Sequence, residues 1–296
     1  MGTVGISTGL KRKLKILTVT FLLIAAVEHI LVQVYLIIQI TWTCESVEEG
    51  LRNFFTKLYF HVFYWTGYAL WKALFLQMIV LRTTFSWTYT DVFIILMSTA
   101  FAFRLKQFVT KLELLLRSQT KNPRFWKKMR EEHYTLCKLC SLLDNKLSYI
   151  VLVSYGTNLY FILIQLFGSV RQLKSTLRKV YYFISFGFLI TRLVSVSFYG
   201  SWINEESKKI LPLLFSVPSS VYNAEVERFI DQVIKSNLII TGKNFFKITK
   251  GLILQIAGAI VTYELVLMQF NAQLLQSNED FKDNICKPQW NSTVNN

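Results

Sequence analysis

Four cysteines, at positions 44, 137, 140 and 286, are all that the 296 residues contain. So few thiols, so spaced, make no disulfide framework. His133, Cys137 and Cys140 fall at i, i+4 and i+7 of one helix, but three ligands without a fourth make a poor zinc site, so no metal is expected. Catalytic signatures are missing too. There is no nucleophile elbow, no HExxH pair and no phosphate-binding glycine loop, so the chain reads as neither an enzyme nor a cofactor protein. A cleavable signal peptide is also lacking, because the first apolar run, 16–40, is too long for one and has no small-residue cleavage site. No repeat, low-complexity tract or soluble domain is visible.

What is abundant is apolar. The chain is 52% hydrophobic and 15% aromatic with a mean hydropathy of +0.36. Several uninterrupted apolar runs of this length define an integral, all-α membrane protein. The net charge of +15 sits in the loops, where it sets topology and meets anionic lipid. No basic patch interleaved with base-stacking aromatics points to nucleic acid.

Charge placement orders the crossings. Lys11, Arg12, Lys13 and Lys15 abut the first run, so that end reads as cytoplasmic. The segments 104–146 and 205–250 hold more than half of the 33 Lys and Arg and read as cytoplasmic as well. Only one crossing then fits between Lys57 and Arg104. The spans fall at about 16–40, 83–105, 147–170, 180–202 and 249–273. The stretch 58–82, with His61, Lys72, Gln77 and Arg82, reads as an extracellular or re-entrant helix. Six crossings with the amino terminus outside would put the four leading cations on the wrong side. Arg171, Lys174, Arg178 and Lys179 in a short outer loop run against the charge rule.

Residues 222–237 form an amphipathic cytoplasmic helix with Val226, Phe229, Ile230, Val233 and Ile234 on one face, and Thr241-Gly242 breaks it before the last span. The carboxyl-terminal tail reads as extracellular, which agrees with a glycosylation sequon at Asn291-Ser292-Thr293. Cys44 and Cys286 both fall on that side, so a disulfide between them is permitted without being required.

Polar groups inside spans are costly and mark candidate sites. Glu28, Asp91, Asn158, Gln165 and Arg192 qualify, with Trp87, Tyr89 and Tyr160 adding aromatic faces. Carboxylates and amides bond hydroxyls while rings cover C–H faces, which suits a polyhydroxylated ligand. The alternative is that Glu28–His29 or Asp91–Arg192 simply pair within the bundle. On the last span Gly251, Gln255, Gly258, Thr262, Gln269 and Gln273 make one small-and-polar stripe opposite Leu252, Ile256, Ile260 and Leu267. Such a stripe wants either a packed helix or water.

The motif Thr262-Tyr263-Glu264-Leu265-Val266-Leu267-Met268-Gln269-Phe270 resembles the Thr-Tyr…Gln-Phe signature of insect gustatory receptors. Glu264 within it and Gly242-Lys243-Asn244-Phe245-Phe246 upstream resemble the sugar-receptor subfamily. Val27-Glu28-His29, Tyr89-Thr90-Asp91, Ser98-Thr99-Ala100, Arg104-Leu105-Lys106-Gln107 and Asn158-Leu159-Tyr160-Phe161 extend the likeness over about 11–271. The resemblance implies a plasma-membrane bundle of the insect chemoreceptor type with an extracellular carboxyl terminus. It further implies a ligand-gated, non-selective cation channel, assembled as a homo- or hetero-tetramer with other gustatory subunits.

The last span would line the pore, with Gln255, Thr262 and Gln269 facing ions and Val266 near the gate. A sugar would bind within the bundle at Glu28, Trp87, Tyr89, Asp91, Asn158, Tyr160 and Gln165. The family has seven spans, and the five here correspond to its third to seventh, so the chain is expected to be amino-terminally incomplete. The alternative of another class is a G-protein-coupled taste receptor without its own pore, which needs a cytoplasmic carboxyl tail.

Overall fold

The computed structural model describes residues 8–43, 46–169 and 176–274. They form α1 (Thr8–Thr43), α2 (Val47–Leu58), α3 (Phe60–Thr66), α4 (Leu70–Arg117), α5 (Pro123–Ser169), α6 (Thr176–Lys208), α7 (Ile210–Phe215), α8 (Ala224–Lys235), a short hairpin β1 (Thr241–Gly242) and β2 (Phe246–Lys247), and α9 (Lys250–Leu274). Five of these helices, α1, α4, α5, α6 and α9, are long and apolar enough to cross a membrane. At 48 and 47 residues, α4 and α5 each run about 70 Å, more than twice the roughly 30 Å hydrocarbon core, so half of each projects beyond it.

Two compact units make up the chain, and each of the five long helices contributes a segment to both. One unit gathers the chain up to Leu22 with Tyr89–Ile164 and Leu189–Tyr263. The other gathers Leu23–Thr88 with Gln165–Phe188 and the chain from Glu264.

In the first unit, a core joins α4 (Phe108, Val109, Leu112), α5 (Trp126, Met129), α7 (Ile210, Leu214) and α8 (Val226, Phe229). Sequence chemistry sets its corners. The α4–α5 turn contains Gln119 at φ 47°, and α5 opens on Pro123, where the missing N–H costs nothing. Asn122 Oδ1 accepts from the Arg124 N–H at 3.0 Å, and the buried Trp126 indole donates to the Thr120 carbonyl at 3.0 Å. Asn223 caps α8, accepting from the N–H groups of Glu225 and Val226, while Glu225 and Glu227 favour its positive end. Burying Phe229 and Val226 contributes about 1.5–3 kcal/mol each.

In the second unit, Phe55, Phe63 and Ala73 anchor α2 and α3 to the start of α4. Ser46 caps α2 by accepting from Glu49 at 3.2 Å. Gly67, at φ +67°, ends α3 in a conformation that L side chains rarely adopt. The stretch 58–82 is therefore not one element. It holds the end of α2, all of α3 and the first turns of α4, which then runs unbroken to Arg117.

Thr241-Gly242 does not break the amphipathic helix, because α8 already ends at Lys235 with an extended Ser236 as its C-cap; the dipeptide is instead the first strand of the hairpin. Thr241 pairs with Lys247 and Gly242 with Phe246, across a turn in which Lys243 (φ 51°) and Asn244 (φ 64°) are both left-handed. Asparagine tolerates that region well, lysine less so.

Candidate functional site

The first unit holds a buried charged cluster. Asp91 on α4 and Arg192 on α6 are 1% and 2% exposed. Arg192 donates from Nε and Nη2 to Asp91 Oδ2 at 2.9 and 2.6 Å. From α5, Ser154 Oγ donates to Asp91 Oδ1 at 2.5 Å, and Asn158 Nδ2 donates to both carboxylate oxygens at 3.3 and 3.1 Å. Ser154 and Asn158 lie four apart, so one helix face presents both. The carboxylate is thus fully engaged by donors, and its charge is neutralised where solvent does not reach. Of the two roles that the sequence leaves open for Asp91 and Arg192, the paired one is the state observed.

Beside this cluster, Tyr155 exchanges a hydrogen bond with Ser197 of α6, oxygen to oxygen 2.7 Å. Its ring lies 4.8 Å from that of Phe246 in the hairpin.

The second unit holds a different, half-buried relay. Gln165 of α5 donates from Nε2 to Ser185 Oγ of α6 at 2.9 Å. Ser185 Oγ in turn donates to Glu28 Oε1 of α1 at 3.0 Å. Gln165 Oε1 is buried with no hydrogen-bond partner among the described residues, an unused acceptor beside a carboxylate. Three helices here converge on hydroxyl chemistry. Glu28 is joined to Ser185 rather than to its neighbour His29, whose ring lies 6.2 Å from Phe85.

The aromatic candidates divide. Trp87 is half-buried. Tyr89 and Tyr160 are 62% and 59% exposed and stack on or against their neighbours Phe93 and Phe161, so neither joins the cluster or the relay. Ser154, Tyr155, Ser185 and Ser197 are the participants that sequence reasoning missed. Single serines in apolar helices carry no signal of their own, although the Ser154/Asn158 spacing marks a polar face.

On α9, Gln255, Gly258, Thr262 and Gln269 are exposed, while Leu252, Ile256, Ile260 and Leu267 are partly covered. Thr262 Oγ1 donates to the Gly258 carbonyl of its own helix at 2.9 Å. Val266 is also exposed, and Tyr263 is half-covered. None of the helix's apolar window is buried. Among the described residues nothing buries these four stripe positions, and Leu254, Val261, Leu265 and Met268 are exposed as well. The side chain of Phe270, together with Cys44, Cys286 and the sequon at Asn291, lies outside the described residues.

Between the α4, α5 and α8 segments of the first unit, His133 is fully buried between the rings of Phe108 and Phe229, with Gln232 Nε2 at 2.8 Å from its Nδ1. Burial lowers its pKa to about 4. Burial likewise pushes the Cys140 thiol up to about 12. Among the described residues no set of three metal-ligating side chains gathers.

Comparison with known proteins adds three findings. The profile of the trehalose receptor family matches residues 6–279. In Drosophila melanogaster, the gustatory receptor for sugar taste 64f is 34% identical over 84% of this chain and 53% of its own length. The gustatory receptor 5a for trehalose is 32% identical over 94% of this chain and 60% of its own. The chain thus spans little more than half the length of these relatives. The insect olfactory receptor OR5 from Machilis hrabei superposes with a TM-score of 0.58 at 14% identity, covering 91% of this chain and 71% of that one. Its complex with eugenol gives 0.55 at 15% identity. At that identity the likeness shows a shared fold, a multi-span helical bundle of the insect chemoreceptor type.

Proposed function

Because the chain belongs to the trehalose receptor family, within the insect gustatory receptors, we propose that it is a subunit of a sugar-gated, non-selective cation channel whose pore is lined by α9. The observation that carries this reading is the orientation of the α9 stripe. Gln255 and Gln269 are exposed, as are Leu254, Val261 and Met268 along α9, so two amides on a membrane helix are left to something beyond the described residues, while the Thr262 hydroxyl is held by its own helix. Lipid offers them no partners. Copies of the same helix around a water-filled axis do, and exposed Val266 supplies an apolar ring that closes by dewetting.

The sugar enters at the half-buried relay Glu28–Ser185–Gln165, where a carboxylate and a free amide oxygen await hydroxyl donors, with Trp87 of the same unit as the apolar platform. Asp91 and Asn158 act in this scheme as the buried framework of the responsive bundle. The subunits assemble as a homo- or hetero-tetramer with other gustatory receptor chains in the plasma membrane, carboxyl terminus outside.

Expression in cells lacking other chemoreceptors, followed by recording from excised membrane patches, tests the scheme. Sugar-evoked cation current that persists without cytosol supports it. A response that requires cytosolic G protein replaces it with the G-protein-coupled reading.

A further inference from the structure

The buried ion pair and the hairpin that leads into α9 share two consecutive residues. Ser154 holds Asp91 at 2.5 Å. Tyr155, the next residue of the same helix, reaches Ser197 at 2.7 Å and packs its ring on Phe246 at 4.8 Å. Ser197 Oγ also donates to the Leu193 carbonyl at 2.9 Å, and Leu193 follows Arg192. Both partners of the ion pair are thereby tied, through Ser154 and Tyr155 on α5 and through Leu193 and Ser197 on α6, to the floor beneath the hairpin.

The hairpin has little freedom to ignore that floor. A Cβ added at Gly200, three residues beyond Ser197, would stand 2.8 Å from Ile248 Cγ2, so α6 and the hairpin base are in direct contact. The Phe246 ring covers Gly242 so closely that a Cβ there would collide with it. Asp144 of α5 accepts from the Thr241 N–H at 2.6 Å and from its hydroxyl at 3.2 Å. Lys243 Nζ lies 4.2 Å from the centre of the Tyr149 ring. Residues Ile240 and Ile248 are fully buried and joined, Ile248 N–H to Ile240 carbonyl, at 2.9 Å. Two residues later α9 begins.

We propose that Tyr155 is the positioning residue that couples the Asp91–Arg192 pair to the β1–β2 hairpin and so sets the placement of the first turn of α9. A packed interior of this kind moves between discrete arrangements rather than deforming gradually. Because Ser154 and Asn158 hold the same carboxylate that Arg192 holds, a displacement of Asp91 from Arg192 draws on α5, and the Tyr155 ring carries Phe246 with it. The functional meaning of that movement rests on α9 being the pore helix, but the coupling itself does not.

Hydrogen–deuterium exchange on the purified chain in nanodiscs separates the two. Asp91→Asn, and the milder Ser154→Ala, should speed exchange of the 241–249 amides severalfold while leaving those of α8 (224–235) unchanged. In a Tyr155→Leu or Phe246→Ala background the same changes should add little at 241–249. Equal effects in both backgrounds, or no effect at the hairpin from either Asp91→Asn or Ser154→Ala, would overturn the coupling. The absence of any sugar-evoked current in the unmodified protein would instead remove the channel reading and leave the exchange result standing.

Discussion

Asp91 and Arg192, separated by 101 residues, meet at 2.6 Å with both side chains 2% exposed. Their attraction is weak evidence of stabilisation, because each charge lost its water to get there. Removing one partner is another matter. Arg192→Met should cost about 3–5 kcal/mol, since it leaves Asp91 charged and buried. The double variant Asp91→Leu/Arg192→Met should recover much of that loss. Thermal unfolding of the detergent-purified protein reads both, and a double variant as unstable as the single one would contradict the pairing energetics.

A second prediction concerns acid. His133 is neutral in the fold, held with its pKa at about 4 against an ordinary 6.5, chiefly by burial. The unfolded chain therefore binds more protons than the folded one between these values. Stability that is intact above about pH 6.5 should fall as the pH drops toward 4, by an amount on the order of 3 kcal/mol, and level off below. The slope of unfolding temperature against pH should flatten in His133→Asn. An unchanged slope in that variant would assign the acid sensitivity to other groups.

The relay makes a third. Glu28→Gln keeps the shape and one acceptor of the side chain but removes its charge. If a sugar hydroxyl donates to that carboxylate, loss of a charged hydrogen bond costs about 1.5–3 kcal/mol, a rise of roughly ten- to a hundredfold in the half-maximal sugar concentration. Gln165→Leu should act in the same direction. Surface labelling must show unaltered delivery to the membrane. Unshifted dose–response curves for both variants would make the relay structural.

Topology gives a fourth. An epitope placed after Asn296 should be reached by antibody on intact cells, and Asn291, in the tail outside the described residues, should be open to glycan transfer. Staining that needs permeabilised cells would reverse the orientation and with it the channel scheme.

Much of the fold was legible because bilayers simplify the code. Apolar runs of span length, the face formed by Val226, Phe229 and Ile230, and the motif from Thr262 to Phe270 carried the helical class and the family. The chain's local breaks were less legible. Gly67 splits 58–82 through a single positive φ that no hydropathy window registers. Thr241-Gly242 reads as a breaker, yet its hairpin depends on Asp144, 97 residues away.

The site was half visible. Spacing shows that Asp91, Asn158 and Arg192 are expensive in a membrane, but it does not choose between pairing with each other and waiting for a ligand. That choice is tertiary. Tyr89 and Tyr160 are exposed because one turn of helix separates a buried face from an open one, and aromatic character is welcome on either. Ser185, which links Glu28 to Gln165, is too short and too common to stand out in an apolar run.

Which face of α9 meets water decides between a pore wall and a packed helix. Cysteines introduced singly from Gln255 to Gln269 in the expressed receptor, exposed to a charged thiol reagent while sugar-evoked current is recorded, test it directly. A pore lined by α9 gives modification at three- or four-residue intervals, with current altered at Gln255, Thr262 and Gln269 and unaffected at Leu252 (tested beside them), Ile256 and Leu267. Reactivity confined to the Ile256–Leu267 face, or without helical period, would contradict a pore lined by α9 and return the stripe to helix packing.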